Sequence, residues 1–155
     1  MIAVIGQGTP DDGPAAEAAR AVGRLLAEAG AAVVTGGLGG VMAAAGRGAR
    51  EGGGRVTAIL PGTRRGEARE ADAVVCTGMG EARDLAVVAS ADAVIAVGAG
   101  WGTLAEIGLA RKLGRPVVLL GSWRVEAPDA PRGTSACPRA DTPAAAVRMA
   151  LEAAG

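Results

Sequence analysis

The chain has no histidine, no tyrosine and no phenylalanine, and among its 155 residues only one lysine (Lys112), two tryptophans and two cysteines. Each shortage excludes some chemistry. Without histidine there is no Ser-His-Asp or Cys-His pair and no imidazole-bound metal. A Schiff-base enzyme would have to use Lys112. Base stacking could rest only on Trp101 and Trp123. Sixteen basic and sixteen acidic side chains cancel, so the chain lacks the basic footprint of a nucleic-acid or membrane-surface binder. Neither partner is expected. Cys76 and Cys137 are far apart and lack metal-ligand spacing, so no metal site is expected. They read as structural, one buried in a strand and one in a loop. No apolar run reaches the length of a membrane span, and MIAVIG opens without a basic stretch, which predicts a cytoplasmic protein.

What is abundant is small. Alanine and glycine supply 37 and 26 residues, whereas leucine, isoleucine and valine together supply 32. Small side chains let helices approach a sheet closely but bury little area each. A homodimer or tetramer is therefore expected to add buried surface, with Leu104, Ile107 and Leu109 as an apolar helix face.

Apolar runs and helical patterns alternate along the chain. Strands are predicted at Ile2–Gly6, Ala32–Thr35, Arg55–Leu60, Ala73–Cys76, Ala93–Val97 and Pro116–Leu120. Helices are predicted at Ala15–Ala29, Val41–Arg50, Gly80–Ser90, Thr103–Leu113 and Ala144–Ala153, the last started by Thr142-Pro143. Residues 63–72 read as a surface loop and 124–141 as an irregular excursion. The pattern predicts an α/β fold over residues 1–155: a single Rossmann-like domain with a doubly wound, mostly parallel sheet of six to seven strands.

In such a fold, ligands sit beyond the carboxyl ends of the strands. Three strands here end in glycine-rich turns. They are Gly6-Gln7-Gly8-Thr9, Thr35-Gly36-Gly37-Leu38-Gly39-Gly40 and Gly98-Ala99-Gly100-Trp101-Gly102-Thr103. Exposed amides at a helix start suit an anion, and glycine removes the Cβ that would hold a phosphate off the backbone. None of the turns spells a dinucleotide fingerprint or a P-loop with its lysine. Thr103 could add a hydroxyl to a phosphate cradle, or serve as an N-cap paired with Glu106 in a capping box. Arg83 could pair with a phosphate or be an exposed helix arginine. Met42 and Met79 would flank a base or pterin.

The runs VTGGLGGVMAAAGRGAREGG, ILPG, TGMGEARDLAVVASADAVIAVGAGWGTLAEIGLARKLGRPVVLLG and ADTPAAAVRMALEAA resemble the SLOG superfamily. The resemblance is closest to its branch of molybdenum cofactor carrier proteins. It implies a binding or carrier protein for a phosphorylated, nucleotide-like ligand, with bound molybdenum cofactor or a nucleoside monophosphate as cargo and no cofactor required. A sister branch of LONELY GUY-type phosphoribohydrolases carries PGGxGTxxE and an upstream arginine. Gly100, Gly102, Thr103 and Glu106 match that motif and Arg83 matches the arginine, so Glu106 and Arg83 are the catalytic pair in the alternative reading. There Glu106 would activate water or stabilise the ribose cation. Gly80, Asp84, Ala99 and the missing proline depart from the hydrolase pattern. A ligand-sensing or structural role is the third reading. The old label of the superfamily, lysine decarboxylase, does not suit a chain whose one lysine lies at a helix end.

Overall fold

The computed structural model describes residues 1–126 and 135–155. Seven strands form one sheet in the order β4-β3-β2-β1-β5-β6-β7, and every pairing is parallel. They are β1 (Ile2–Gly6), β2 (Val33–Thr35), β3 (Val56–Leu60), β4 (Ala73–Cys76), β5 (Ala93–Val97), β6 (Val117–Leu120) and β7 (Arg139–Ala140). Every residue of β5 and β6 is buried, which explains their unbroken valine, isoleucine, leucine and alanine content. The edge strand β4 alternates between exposed and half-buried residues instead. This is the Rossmann-like α/β fold expected, with a seventh strand that the Pro-rich sequence around it had hidden.

Five helices cover the sheet: α1 (Pro14–Glu28), α2 (Gly40–Glu51), α3 (Arg83–Ala89), α4 (Trp101–Lys112) and α5 (Pro143–Ala153). Helices α1, α2 and α5 build one core with Ile2, Val4, Val33 and Ile95. Helices α3 and α4 build the other with Ala3, Ile5, Val94 and Leu119. Small residues set the spacing of the first layer. A Cβ on Gly23 would overlap the Ala45 carbonyl oxygen, and one on Gly48 would overlap that of Arg20. Helices α1 and α2 therefore meet backbone to backbone.

Glycine also stops the helices. After α1, Gly30 takes φ +77°, and the N–H groups of Gly30 and Ala31 donate to the carbonyls of Ala27 and Leu26. That is the Schellman arrangement. Gly114 ends α4 the same way.

Several local expectations change. The helix read over Gly80–Ser90 is a 3-10 turn, Gly80–Ala82, followed by α3. Helix α4 starts two residues before Thr103. The stretch 63–72 is exposed but structured: Arg65–Glu67 form a 3-10 turn, and the Arg69 N–H donates to the Gly37 carbonyl. In 124–141, Glu126 bridges to Ser135 and Arg139–Ala140 form β7, while residues 127–134 lie outside the described region. Cys137, in a loop, is the buried cysteine, and Cys76 on the edge strand is only half-buried; both are free thiols. Ile107 is buried inside the chain's own core, so it cannot serve the outward face that it was expected to share with Leu104 and Leu109. Among the described residues, no helix is long and apolar enough to cross a membrane and no group of three acidic or cysteine ligands could hold a metal.

Candidate functional site

Strand order reverses at β1, which lies between β2 and β5. That reversal is the topological switch point where open α/β sheets leave a crevice. A cleft of about 360 Å³ opens beside it. Gly6, Gly8, Met42, Arg83, Gly100, Trp101, Gly102, Thr103 and Glu106 line it, together with Gln7, Thr9, Leu38, Glu81 and Asp84. The first and third glycine turns thus share one cleft.

The three turns are not equivalent. The first does not lead directly into a helix, because α1 begins only at Pro14. The second starts α2, but the chain itself has already claimed those amides. Gly40 N–H donates to the Asp11 carboxylate, and Val41 N–H donates to the Gln7 carbonyl at 2.9 Å. Arg69 holds Asp11 from the other side at 2.8 Å. These two contacts keep the Asp11 carboxyl below its ordinary range. Asp11 is an internal carboxylate in the place where an external anion was expected.

The third turn is open. Gly100 is the extended N-cap of α4, and no side chain caps the helix start. The amides of Trp101, Gly102 and Thr103 therefore point outward with the positive end of the helix dipole. A Cβ on Gly102 would meet nothing within 4 Å. Local packing does not demand glycine there; the open space lies at the cleft.

Thr103 sits inside the first turn of α4, 2% exposed, so it is not the N-cap of a capping box. Its hydroxyl has no hydrogen-bond partner. Arg83 is 7% exposed rather than solvated. Its Nε lies 3.4 Å from Asp84 Oδ1, near enough for charge pairing, but makes no hydrogen bond. Among the described residues only three buried side-chain polar atoms lack a partner, and two of them, Arg83 Nε and Thr103 Oγ1, belong to this cleft. Buried polar groups are normally satisfied, so these two mark where a ligand's acceptors would go.

The other expected residues take different places. Gly36 lies behind the wall: a Cβ there would overlap the Arg83 guanidinium and come within 2.7 Å of Met42 Sδ. Gly37 backs onto Ala58 of β3, and Gly40, at φ +59°, passes against the Gln7 carbonyl. Gly39 borders an adjoining hollow with Asp11 and Arg69. Gly98 faces a separate depression with Pro14 and Leu120. Met79 is 55% exposed and does not line the cleft. Lys112 is the last residue of α4, at the end of the helix away from the cleft.

Glu106 is one turn into α4 and buried. Burial first, and the neighbouring Asp84 carboxylate second, push its acid up to about 8, while the Arg83 guanidinium pulls the other way. Burial also raises the Asp84 acid. At neutral pH Glu106 is thus mostly a neutral acid. The folded state holds this proton above pH 4.5, where the unfolded chain releases it. Stability is therefore highest below about pH 4.5 for this group and falls as pH rises toward 8. At about 1.4 kcal/mol per pKa unit, the rise from 4.5 to about 8 corresponds to at most about 5 kcal/mol. Glu106→Gln is expected to melt with the wild type near pH 4.5 and roughly 10 °C above it at pH 8. Parallel melting curves across that range would refute the buried acid.

The SLOG cluster4 family model matches residues 1–147. An uncharacterized protein of Archaeoglobus fulgidus is 44% identical over 136 residues, spanning 83% of this chain and 89% of that protein. The structure of the molybdenum cofactor binding protein from Rippkaea orientalis superposes with a TM-score of 0.87 at 32% identity, over 97% of this chain and 94% of that one. The molybdenum cofactor carrier protein of Chlamydomonas reinhardtii gives 0.81 at 34%, over 97% and 95%. DNA processing protein A from Helicobacter pylori, at 20% identity and a TM-score of 0.69, shares the fold alone.

Proposed function

This chain belongs to the SLOG cluster4 family, and from that premise we propose that it is a single-domain, cytoplasmic binding and carrier protein for a phosphorylated, pterin-bearing cargo of the molybdenum cofactor type. The observation that carries the reading is the pair of unsatisfied buried atoms, Arg83 Nε and Thr103 Oγ1, beside the uncapped start of α4. Similarity to two molybdenum cofactor binding and carrier proteins over almost the whole chain supports the choice of cargo.

The cleft fits such a cargo through backbone more than through charge. Arg83 is one cation against the carboxylates of Glu81 and Asp84, so side chains alone do not attract an anion. The amides of Trp101–Thr103 would hold the phosphate, as at other helix starts. Thr103 Oγ1 would donate to it, and Arg83 would pair with it once turned from Asp84. Glu106, being protonated, would not repel it.

A phosphoribohydrolase is the second reading, favoured by Glu106 and Arg83 lining one cleft. A carboxyl that holds its proton to about pH 8 would act on water through its minor ionised form at neutral pH, and similarity to two molybdenum cofactor binding and carrier proteins favours carriage. Protein isolated from molybdate-fed cells is expected to carry molybdenum and pterin in equal amounts, and to release no adenine from AMP. Metal-free, pterin-free protein that releases adenine, with turnover lost in Glu106→Gln, would reverse the ranking. A homodimer or tetramer is part of the same proposal, tested by light scattering at micromolar concentration.

A further inference from the structure

The only two aromatic residues of the chain stand together at the mouth of the cleft. Trp101 and Trp123 have ring centroids 5.1 Å apart with planes tilted by 40°. Trp123 is fixed by its indole N–H, which donates to the Gly100 carbonyl at 2.9 Å. Its own carbonyl accepts from Arg139 Nη1 at 3.2 Å. Trp101 lines the cleft, yet it is 79% exposed, the most exposed large apolar residue among those described. Leaving an indole in water forgoes roughly 2–3 kcal/mol of burial. Trp123 packs against the core beneath α3 and α4, whereas Trp101 belongs to neither core. Met42, by contrast, is 8% exposed and wedged beneath Gly8 and Gly36, and Met79 lies off the cleft wall. The flat apolar surface left for a ring is therefore the indole of Trp101.

We propose that Trp101, braced by Trp123, is the stacking surface for a planar bicyclic heteroaromatic ring, so that the first turn of α4 reads both ends of its ligand. The amides of Trp101–Thr103 take the phosphate, and the side chain of the same first residue takes the ring. A ligand with a short link between ring and phosphate fits this spacing; a bare sugar phosphate fills only half the site. The inference rests on the proposed phosphate site and adds the specificity for the ring.

Three probes test it by calorimetric titration: AMP, 6-hydroxymethylpterin phosphate and ribose 5-phosphate. Trp101→Ala is expected to weaken at least one ring-bearing probe about tenfold and leave ribose 5-phosphate unchanged. Trp101→Phe should restore most of the loss. In Trp123→Phe, the emission of Trp101 should be quenched by the ring-bearing probe and not by ribose 5-phosphate. The two ring probes distinguish a purine from a pterin as occupant. Undiminished binding by Trp101→Ala would overturn the proposal. Equal losses for all three probes would also overturn it, because they would mean damage to the helix start. So would a loss that tracks dissociation of an oligomer in light scattering. If ribose 5-phosphate binds and neither ring probe does, the ring surface fails while the phosphate site stands. If no probe binds the wild type, the phosphate site fails and the ring surface with it.

Discussion

Gly102→Asp is expected to weaken binding of a phosphorylated ligand about a hundredfold while leaving the thermal midpoint unchanged or slightly higher. Gly102 is exposed in the first turn of α4, and a Cβ there meets nothing within 4 Å. The fold therefore accepts a side chain. A carboxylate near a helix start is favourable to the helix by up to about 1 kcal/mol, and so is the loss of a helical glycine. The same carboxylate would stand beside the bound phosphate. Two like charges about 5 Å apart in a partly buried site repel by roughly 3 kcal/mol, which is about a hundredfold in affinity. Gly102→Asn, with the same shape and no charge, should lose far less. Titration of both variants against one ligand, with melting curves alongside, checks the prediction. Equal losses in the two variants would assign the effect to shape and remove the anion from this position.

Gly48→Val is expected to destabilise the protein by about 4 kcal/mol and lower the thermal midpoint by roughly 8–16 °C. Even a Cβ at this position overlaps the Arg20 carbonyl oxygen. Valine adds two methyl groups where α1 and α2 touch backbone to backbone. Nothing flexible can yield, because the obstacle is main chain. Arg20 and Glu51 would move apart as well, but their exposed ion pair contributes little. Gly108→Ala is the matched control. Gly108 is also helical, yet its Cβ would enter open space, so the variant should gain up to about 1 kcal/mol. A circular-dichroism melt of the two variants measures both signs. A mild effect of Gly48→Val would mean that the α1–α2 contact relaxes more readily than main-chain packing permits.

Much of this architecture was readable from residues alone, because its signals are local. Buried parallel strands leave unbroken apolar runs, and a Schellman stop leaves a glycine such as Gly30 or Gly114. The glycine turns lie after β1, β2 and β5 as expected. What escaped was decided by contacts between distant segments. Asp11 and Gly40 are 29 positions apart, so the sequence does not show that the second turn is filled internally. Strand β7 has two residues and exists only because β6 offers an edge to pair with. Gly100-Trp101-Gly102 reads as loop from composition, yet α4 starts at Trp101. Helical geometry there comes from packing of Thr103, Glu106 and Ile107. Asp84 and Gln7 joined the cleft without a motif of their own, although each stands beside or within a segment that had one. Met79 lies off the cleft wall, set apart from Arg83 by the 3-10 turn Gly80–Ala82.

We propose that the cleft at the β1–β5 switch point holds its cargo by the start of α4. Crystals of the protein loaded with molybdenum cofactor test it through anomalous scattering at the molybdenum edge. The expected result is a peak inside the cleft bordered by Gly8, Met42, Arg83 and Thr103, with phosphate density against the amides of Trp101–Thr103. A molybdenum peak in the apolar groove of Leu25, Val147 and Leu151, or phosphate density away from α4, would contradict it.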